Sequence, residues 1–250
     1  MKTDILNIEL PNIYTEEIWK RCENKHHKQF IGMGYISWSQ VETFKDKAGF
    51  NTGLLGKYEY ILQRFLRVKF PDLGWGEFGG DVEDYVTLKT KAEKFTAKER
   101  ETMDKIMPLG VFQEEVIYHI EGTNVIVLGF IDDRSKERAG KIKMLRDYKT
   151  KSESSKKDLH LDKKHQIEIY VLGLQQRGLE VQNAEYCVIE RFGGRECMMG
   201  GGRESLTVGE RIWTEPYTFN NDRLEITKEL LKNTAMEISK TYKTFQKLFA

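Results

Sequence analysis

Asp147 and Lys149 stand two residues apart in the segment LRDYKT (145–150), which follows an apolar strand pattern. A strand points residues i and i+2 to the same face, so these two side chains are expected to lie side by side. Such a pair is either an ion pair on a solvated strand face or one part of a metal-dependent active site. The pair alone does not decide between the two.

Three further residues lie at spacings that suit the second alternative. Asp132 precedes Asp147 by 15 residues, at the end of another predicted strand, and Gln166 follows Lys149 by 17 residues. Neighbouring antiparallel strands can bring the two aspartates together, and two carboxylates suit Mg²⁺ or Mn²⁺. Lys149 would then help to activate water or stabilise the charge of the transition state. Gln166 and Tyr170 are four residues apart, so they share one helix face.

The elements that must position these residues follow from the apolar spacing. We predict one α/β domain over residues 1–250: a mainly helical wall (1–107), a sheet core (108–220) and a C-terminal helix (221–250). A glycine-rich hairpin tip is expected at 193–204. The predicted helices lie within 35–50 (after Ser37 or Ser39 as the N-cap), 53–70, 78–96, 97–107, 161–178 and 221–248, and the predicted strands cover 111–122, 124–133, 141–149 (these three as a meander), 185–192 and 205–217.

The composition is that of a soluble globular protein, with 39% hydrophobic and 32% charged residues among 250. No run of 18 apolar residues is present, and the acidic N-terminal stretch does not resemble a signal peptide, so we expect a cytoplasmic protein without a membrane span. Although the net charge is only +1, residues 134–165 hold twelve Lys or Arg and five Asp or Glu. Such a segment is either a solvated loop or an edge that binds a polyanion.

Three segments that follow one another along the chain resemble the core of the PD-(D/E)XK nuclease superfamily, in its RecB/Cas4-like exonuclease branch. They are GFIDD (129–133), LRDYKT (145–150) and HQIEIY (165–170). The resemblance implies a restriction-endonuclease-like core, which is a central mixed β-sheet flanked by helices. It also implies that Asp132, Asp147 and the Tyr148 carbonyl bind Mg²⁺, with Mn²⁺ as a substitute. Lys149 would be catalytic, and Gln166 and Tyr170 would position the substrate.

A weaker resemblance concerns the acidic residue upstream of this core. The segment FGGDVEDY (78–85) is similar to a helix that carries histidine in many relatives, and Glu83 stands at that place as the expected additional metal ligand. Glu114 or Glu115 is the alternative acid at the edge of the site. Several relatives hold an iron–sulfur cluster on four cysteines. This chain has only Cys22, Cys187 and Cys197, so no cluster is expected.

The function implied by the resemblance is that of a Mg²⁺-dependent deoxyribonuclease. An exonuclease acting in DNA replication, recombination, repair or degradation is expected, with DNA and proteins of recombination or replication as partners. The compact form would suit a phage-encoded, stand-alone enzyme. Two alternatives stay open: a structure-selective or site-specific endonuclease of the same superfamily, and a DNA-binding or complex-assembly subunit with a degenerate nuclease core. Polarity, strand preference and oligomeric state do not follow from the sequence.

Overall fold

A computed structural model describes residues 5–20, 25–45, 56–70, 74–152 and 164–249 of the chain. Short 3₁₀ and π turns connect several of its elements. The helices are α1 (Glu16–Lys20), α2 (Trp38–Lys45), α3 (Gly56–Tyr60), α4 (Trp75–Leu88), α5 (Ala97–Met103), α6 (Gln166–Gln176), α7 (Gly194–Glu196) and α8 (Asn221–Phe249). The strands are β1 (Gly34–Ile36), β2 (Gly110–His119), β3 (Val125–Ser135), β4 (Lys141–Ile142), β5 (Leu145–Lys151), β6 (Glu180–Val181), β7 (Ala184–Phe192) and β8 (Thr207–Tyr217).

Strand β3 is the spine of a six-stranded mixed sheet formed by the described residues. Along one edge it pairs with antiparallel β2. Its other edge is shared, because parallel β1 pairs with residues 125–127 and antiparallel β5 pairs with Asp133 and Arg134. Beyond β5 lie parallel β7 and antiparallel β8. The predicted meander of three strands is therefore confirmed as β2, β3 and β5.

Helices cover both faces of this sheet. Because β5 and β7 run parallel, the chain needs a crossover between them, and α6 supplies it. Apolar residues of α6 and α8 form the main core against one face, while α4 and α5 build a second core against Tyr148, Cys187 and Ile189 on the other face. Strands buried on both sides are rich in apolar residues, as the run VIVLGFI (125–131) shows. The α/β class and the central mixed sheet flanked by helices are confirmed.

The helix predicted within 35–50 begins at Trp38, directly after the expected N-cap Ser37, whose Oγ accepts the backbone N–H of Gln40 at 3.3 Å. Tyr35 and Ile36, which precede it, belong to β1, a strand that was not predicted. The predicted strand 141–149 is divided into β4 and β5, and the expected hairpin tip at 193–204 holds short helical turns. Pairing with β3 makes Tyr35 and Ile36 a strand, and no local periodicity reports such a pairing.

None of the helices in the described ranges is both long and apolar enough to cross a membrane.

Candidate active site

The candidate site lies in a fork between β3 and β5. The two strands pair at Asp133 with Arg146 and at Arg134 with Leu145, and then they separate. The next backbone N–H on the β3-facing edge of β5, that of Tyr148, donates to Asp132 Oδ2 at 2.8 Å instead of to a carbonyl of β3. Since the N–H and C=O of an extended residue point to the same strand edge, the Tyr148 carbonyl also faces the fork.

A break in the alternation of β3 turns Asp132 towards this fork. Ile131 is buried in the main core, while Asp133 accepts from Tyr148 Oη at 2.9 Å on the opposite face. Residues 131 and 133 of a regular strand would share a face. The register places Gln113 opposite Asp132, and Gln113 has a φ of 48°, a conformation that costs about 1–2 kcal/mol.

A chain of contacts runs from Asp147 into helix α6. The buried Asp147 carboxylate forms an ion pair with Lys149. Lys149 Nζ also donates to Gln166 Oε1 at 3.2 Å, and Gln166 Nε2 donates to Tyr170 Oη at 2.6 Å. Asp147 Oδ1 is buried and accepts no hydrogen bond from the described residues. Burying a carboxylate oxygen without a partner costs free energy, and a bound cation or hydrogen-bond donor would offset that cost.

Gly129 makes room for this arrangement. A Cβ atom at residue 129 would lie 3.0 Å from Tyr170 Cε1 and 3.6 Å from Val116 Cγ1. Tyr170 can therefore pack directly over β3, with only 3% of its surface exposed, because glycine stands beneath its ring.

The electrostatics of the fork show an excess of negative charge. Burial, followed by the charges of Asp147 and Glu83, raises the pKa of Asp132 well above its usual value. Burial and Asp147 also raise the pKa of Glu83, to about 7. Burial alone would lower the pKa of Lys149, but Asp147 and Asp132 outweigh it and hold that pKa above its usual value. One ammonium thus faces three carboxyl groups, and the charges of Asp147 and Glu83 raise the cost of ionising Asp132.

These groups fit a divalent cation of the magnesium type. Mg²⁺ is commonly held by one or two carboxylates, with water and substrate phosphate in its remaining positions. Asp132 and Asp147, helped by the Tyr148 carbonyl, offer such a donor set, and Asp147 Oδ1 has no competing partner among the described residues. Glu83 currently accepts a hydrogen bond from Gln113 Nε2. In the described ranges no group of three or more acidic, histidine or cysteine side chains is placed so that it could hold a metal ion.

The other two candidate acids lie outside the fork. Glu114 forms ion pairs with Arg134 and with Arg177, the latter at 2.9 Å. Glu115 is buried and accepts from Tyr14 Oη at 2.9 Å. The structure thus brings Asp132, Asp147, Lys149, Gln166, Tyr170 and Glu83 together, and it places Glu114 and Glu115 in other contacts.

The predicted basic segment is divided by the fold. Arg134, Arg146 and Lys149 are committed to ion pairs with Glu114, Glu185 and Asp147. Within the described residues of this segment, the exposed cations lie on the hairpin between β3 and β5. Residues 153–163 of the segment fall outside the described ranges. The exposed hairpin cations are Lys136, Arg138, Lys141 and Lys143.

A smaller group of cations adjoins Lys149. Burial lowers the pKa of Lys151, and the nearby charges of Lys164, Lys149 and Arg191 lower it further. Lys164 pairs with Glu42 of α2 at 2.8 Å. This half-buried group stands next to the fork, where an anion would be favoured.

Two features of the site were not predicted from the sequence. Tyr186, which the register places beside Asp147, is fully buried, and Lys149 Nζ lies 6.0 Å from the centre of its ring. Gln113 was also missed as the partner of Glu83. Neither had a sequence signal, because a tyrosine in an apolar strand and a glutamine in an exposed stretch are ordinary residues there.

The two described cysteines lie in the second core. Cys187 and Cys197 are buried there, and neither forms a disulfide. Cys22 lies outside the described residues, so the expectation about a cluster stays a prediction.

The fold is similar to that of a crystal structure from Eubacterium rectale that carries the name "putative exonuclease". The two chains are 14% identical, the match covers 83% of this chain and 82% of that chain, and the TM-score is 0.51. No protein-family model matches the sequence, and no curated protein matches it significantly. The likeness establishes a shared fold, so the residues of the fork must carry any argument about function.

Proposed function

We propose that this protein is a divalent-metal-dependent deoxyribonuclease, and specifically an exonuclease of the RecB-like type. The observation that carries the proposal is the fork itself, in which buried Asp132 and Asp147 face each other's charge beside Lys149. A binding module would gain nothing from two buried, mutually repelling carboxylates, whereas a metal-dependent hydrolase requires them. The name of the structural neighbour from Eubacterium rectale points in the same direction.

The chain's own residues divide the work of the reaction. Asp132, Asp147 and the Tyr148 carbonyl would hold Mg²⁺ or Mn²⁺, with Glu83 as a further donor once it leaves Gln113. The bound ion would supply Lewis-acid polarisation of the scissile phosphate and neutralise its charge. Lys149, fixed by Asp147 and Gln166, orients the attacking water and stabilises negative charge developing on the phosphate oxygens.

The products follow from hydrolysis of the phosphodiester. Water adds to phosphorus while the P–O3′ bond breaks, which leaves a 5′-phosphate and a 3′-hydroxyl. Gln166 and Tyr170 position the substrate strand, and the basic segment, here through Lys151 and Lys164, contacts its phosphates. A role in DNA replication, recombination, repair or degradation belongs to this proposal, as do a cytoplasmic location and partner proteins of those processes.

The test compares linear DNA, circular single-stranded DNA and circular duplex DNA with Mg²⁺, Mn²⁺ or EDTA. We expect degradation of linear DNA alone, and only with metal. Asp132→Asn and Lys149→Ala should each lower the rate by about 10²-fold or more, the range for a positioned catalytic group. Glu229→Gln and Lys105→Ala, both at exposed positions away from the fork, serve as matched controls.

The possible results separate the alternatives. Cutting of circular DNA would move the assignment to an endonuclease of the same superfamily. If no DNA is cut with either metal, or if Lys149→Ala cuts as fast as the wild type, the proposed mechanism is wrong and a binding or assembly role takes its place.

A further inference from the structure

The hairpin between β3 and β5, residues 136–144, holds a second candidate anion site outside the fork. It borders a cavity of about 570 Å³ lined by Lys136, Arg138, Lys141 and Lys143 together with Gln182 and Asn183. All four cations are exposed. Within the described ranges Lys141 pairs with Glu180 at 3.1 Å, while Lys136, Arg138 and Lys143 form no ion pair. The only acid of the hairpin, Glu137, lines a different cavity beside Arg177.

The hairpin is held in a fixed shape. Arg138 and Lys141 exchange two backbone hydrogen bonds of 2.9 and 3.0 Å around Ala139 and Gly140, whose φ values are 51° and 75°. Positive φ at both central positions is the mark of a type I′ turn, which usually takes asparagine, aspartate or glycine. Ala139 therefore adds a strain of about 1–2 kcal/mol.

A neighbouring segment braces the cationic side of the hairpin. Strand β4 pairs in parallel with β6, the Gln182 N–H donates to the Ile142 carbonyl at 3.0 Å, and Asn183 Nδ2 donates to the Lys143 carbonyl at 3.1 Å. Cations on a rigid frame lose less conformational entropy when they bind an anion than cations on a loose loop do. The strained Ala139 backbone and the hydrogen bonds from Gln182 and Asn183 hold the hairpin cations in fixed positions, which indicates a function that depends on those positions.

The place of the hairpin in the fold indicates which anion it meets. It joins the two strands that carry Asp132 and Asp147, and Ser135, at its root, also lines the cavity. Three residues of a strand span about 10 Å. A nucleic-acid duplex carries one phosphate per strand for about every 3.4 Å along its axis. A duplex whose axis runs parallel to β3, with one strand engaged at the carboxylates, would therefore have a phosphate about three nucleotides away at the edge of this cavity.

We infer that the cationic hairpin face formed by Lys136, Arg138 and Lys143 binds the phosphate backbone of nucleic acid about three nucleotides from the scissile bond. This inference rests on the proposed nuclease function for its choice of ligand, but it concerns a separate surface. It makes the hairpin the element that sets affinity for long substrates, while the fork performs the reaction.

The test is binding without catalysis. The full chain in EDTA is titrated against a fluorescein-labelled 20-nucleotide DNA, single-stranded or duplex, at several salt concentrations between 50 and 300 mM. The triple variant Lys136→Gln/Arg138→Gln/Lys143→Gln should bind at least about tenfold more weakly, with a slope of log affinity against log salt shallower by about 2–3. On a labelled dinucleotide, too short to reach the hairpin, the same variant should show less than a twofold loss.

A charge-matched control removes three positive charges from another part of the surface. Lys232→Gln/Lys240→Gln/Lys243→Gln changes exposed lysines of α8 and should keep the salt slope of the wild type. Equal affinity and slope for the hairpin variant and the wild type would overturn the inference and leave the hairpin to an acidic protein partner. Loss of affinity on the dinucleotide as well would also overturn it, because the hairpin would then act on the fork. Since no cleavage is measured, the result stands apart from the success or failure of the nuclease assay.

Discussion

At the scale of single residues, the fork depends on matches between side chains that the backbone brings within reach. Lys149 meets Asp147 because both lie on one face of β5, and Gln166 meets Tyr170 because they lie one helical turn apart. Gly129 contributes by having no side chain, because the Tyr170 ring occupies the space above it. Packing of the Tyr170 ring thus explains why glycine stands at position 129, three residues before Asp132.

Gly129→Ala should therefore destabilise the protein and impair the site. The added Cβ would lie 3.0 Å from Tyr170 Cε1, so the ring and its hydrogen bond with Gln166 must shift, and overpacking of this kind costs about 1–3 kcal/mol. Thermal unfolding and the DNA cleavage assay measure the two effects.

A matched glycine provides the control. Gly79→Ala in α4 meets no atom within 4 Å, and alanine in a helix should stabilise it by up to about 1 kcal/mol. If Gly129→Ala is as stable and as active as Gly79→Ala, then the packing role assigned to Gly129 is wrong.

At the scale of elements, ion pairs fix β2, β3 and α6 relative to one another. Glu114 of β2 pairs with Arg134 of β3 and with Arg177 just after α6. Burial alone would raise the pKa of Glu114, but hydrogen bonds and charge from both arginines outweigh it and hold that pKa below its usual value. The residue that was considered as a possible metal ligand therefore has a structural partner on each side.

Glu114→Gln should lower stability in a pH-dependent way. Because the folded pKa lies below the unfolded one, the ion pairs contribute stability above the unfolded pKa, about 4.3, and this contribution is lost as the pH falls through the folded pKa. At pH 7 we expect a loss of about 1.5–3 kcal/mol, the range for hydrogen bonds to charged groups. Denaturant unfolding of both proteins at pH 7 and pH 3 measures it. A difference that grows towards pH 3 would contradict the assignment.

Ala139→Gly in the hairpin turn should stabilise the protein. Glycine adopts the positive φ at this position without strain, and the relief of about 1–2 kcal/mol exceeds the extra backbone entropy of about 0.5–1 kcal/mol in the unfolded chain. The opposite change, Gly140→Ala, should destabilise the protein by about 1 kcal/mol. Thermal unfolding of both variants tests the turn. An increase in stability for Gly140→Ala would refute the type I′ geometry.

At the scale of the whole molecule, the fold tolerates an unfavourable charge arrangement at its centre. Asp132 accepts the Tyr148 N–H, yet its pKa is raised by burial and by two other carboxyl groups. The sheet and the helices on both faces hold these groups together at a cost to stability. Sites that bind an ion or a substrate commonly show such local conflict with stability.

Asp132→Asn should therefore raise the melting temperature of the protein in EDTA, because the amide keeps an acceptor for Tyr148 and removes a charge. For the wild type, Mg²⁺ at about 100 times its dissociation constant should add about 2.7 kcal/mol, a rise of about 5–10 °C for a chain of this size. The variant should lose this rise. Differential scanning calorimetry with and without Mg²⁺ measures both effects, with Glu229→Gln as the control. An equal rise for both proteins would place the ion elsewhere.

The sequence by itself determined the features that depend on local periodicity. The pairing of Asp147 with Lys149 and the shared face of Gln166 and Tyr170 follow from spacings of two and four residues. The meander of β2, β3 and β5 follows from segments rich in β-branched residues that turn-forming residues separate. Backbone geometry sets these spacings wherever the segment lies in the fold. The extent of β3 was therefore predicted to within two residues, and α6 lies within the predicted helix 161–178, whose first residues fall outside the described ranges.

Only the tertiary structure decided the contacts between distant segments. It showed that β3 and β5 separate beyond the pair Asp133–Arg146, on the side of Asp132, and that Glu83 is held by Gln113. It also showed that Tyr186 lies beside Lys149, and that the basic segment divides into internal ion pairs and an exposed hairpin. It also placed Tyr35 and Ile36 in β1, a strand that was not predicted. These outcomes depend on which elements pack together, and packing energy between segments tens of residues apart leaves no periodic trace in the chain.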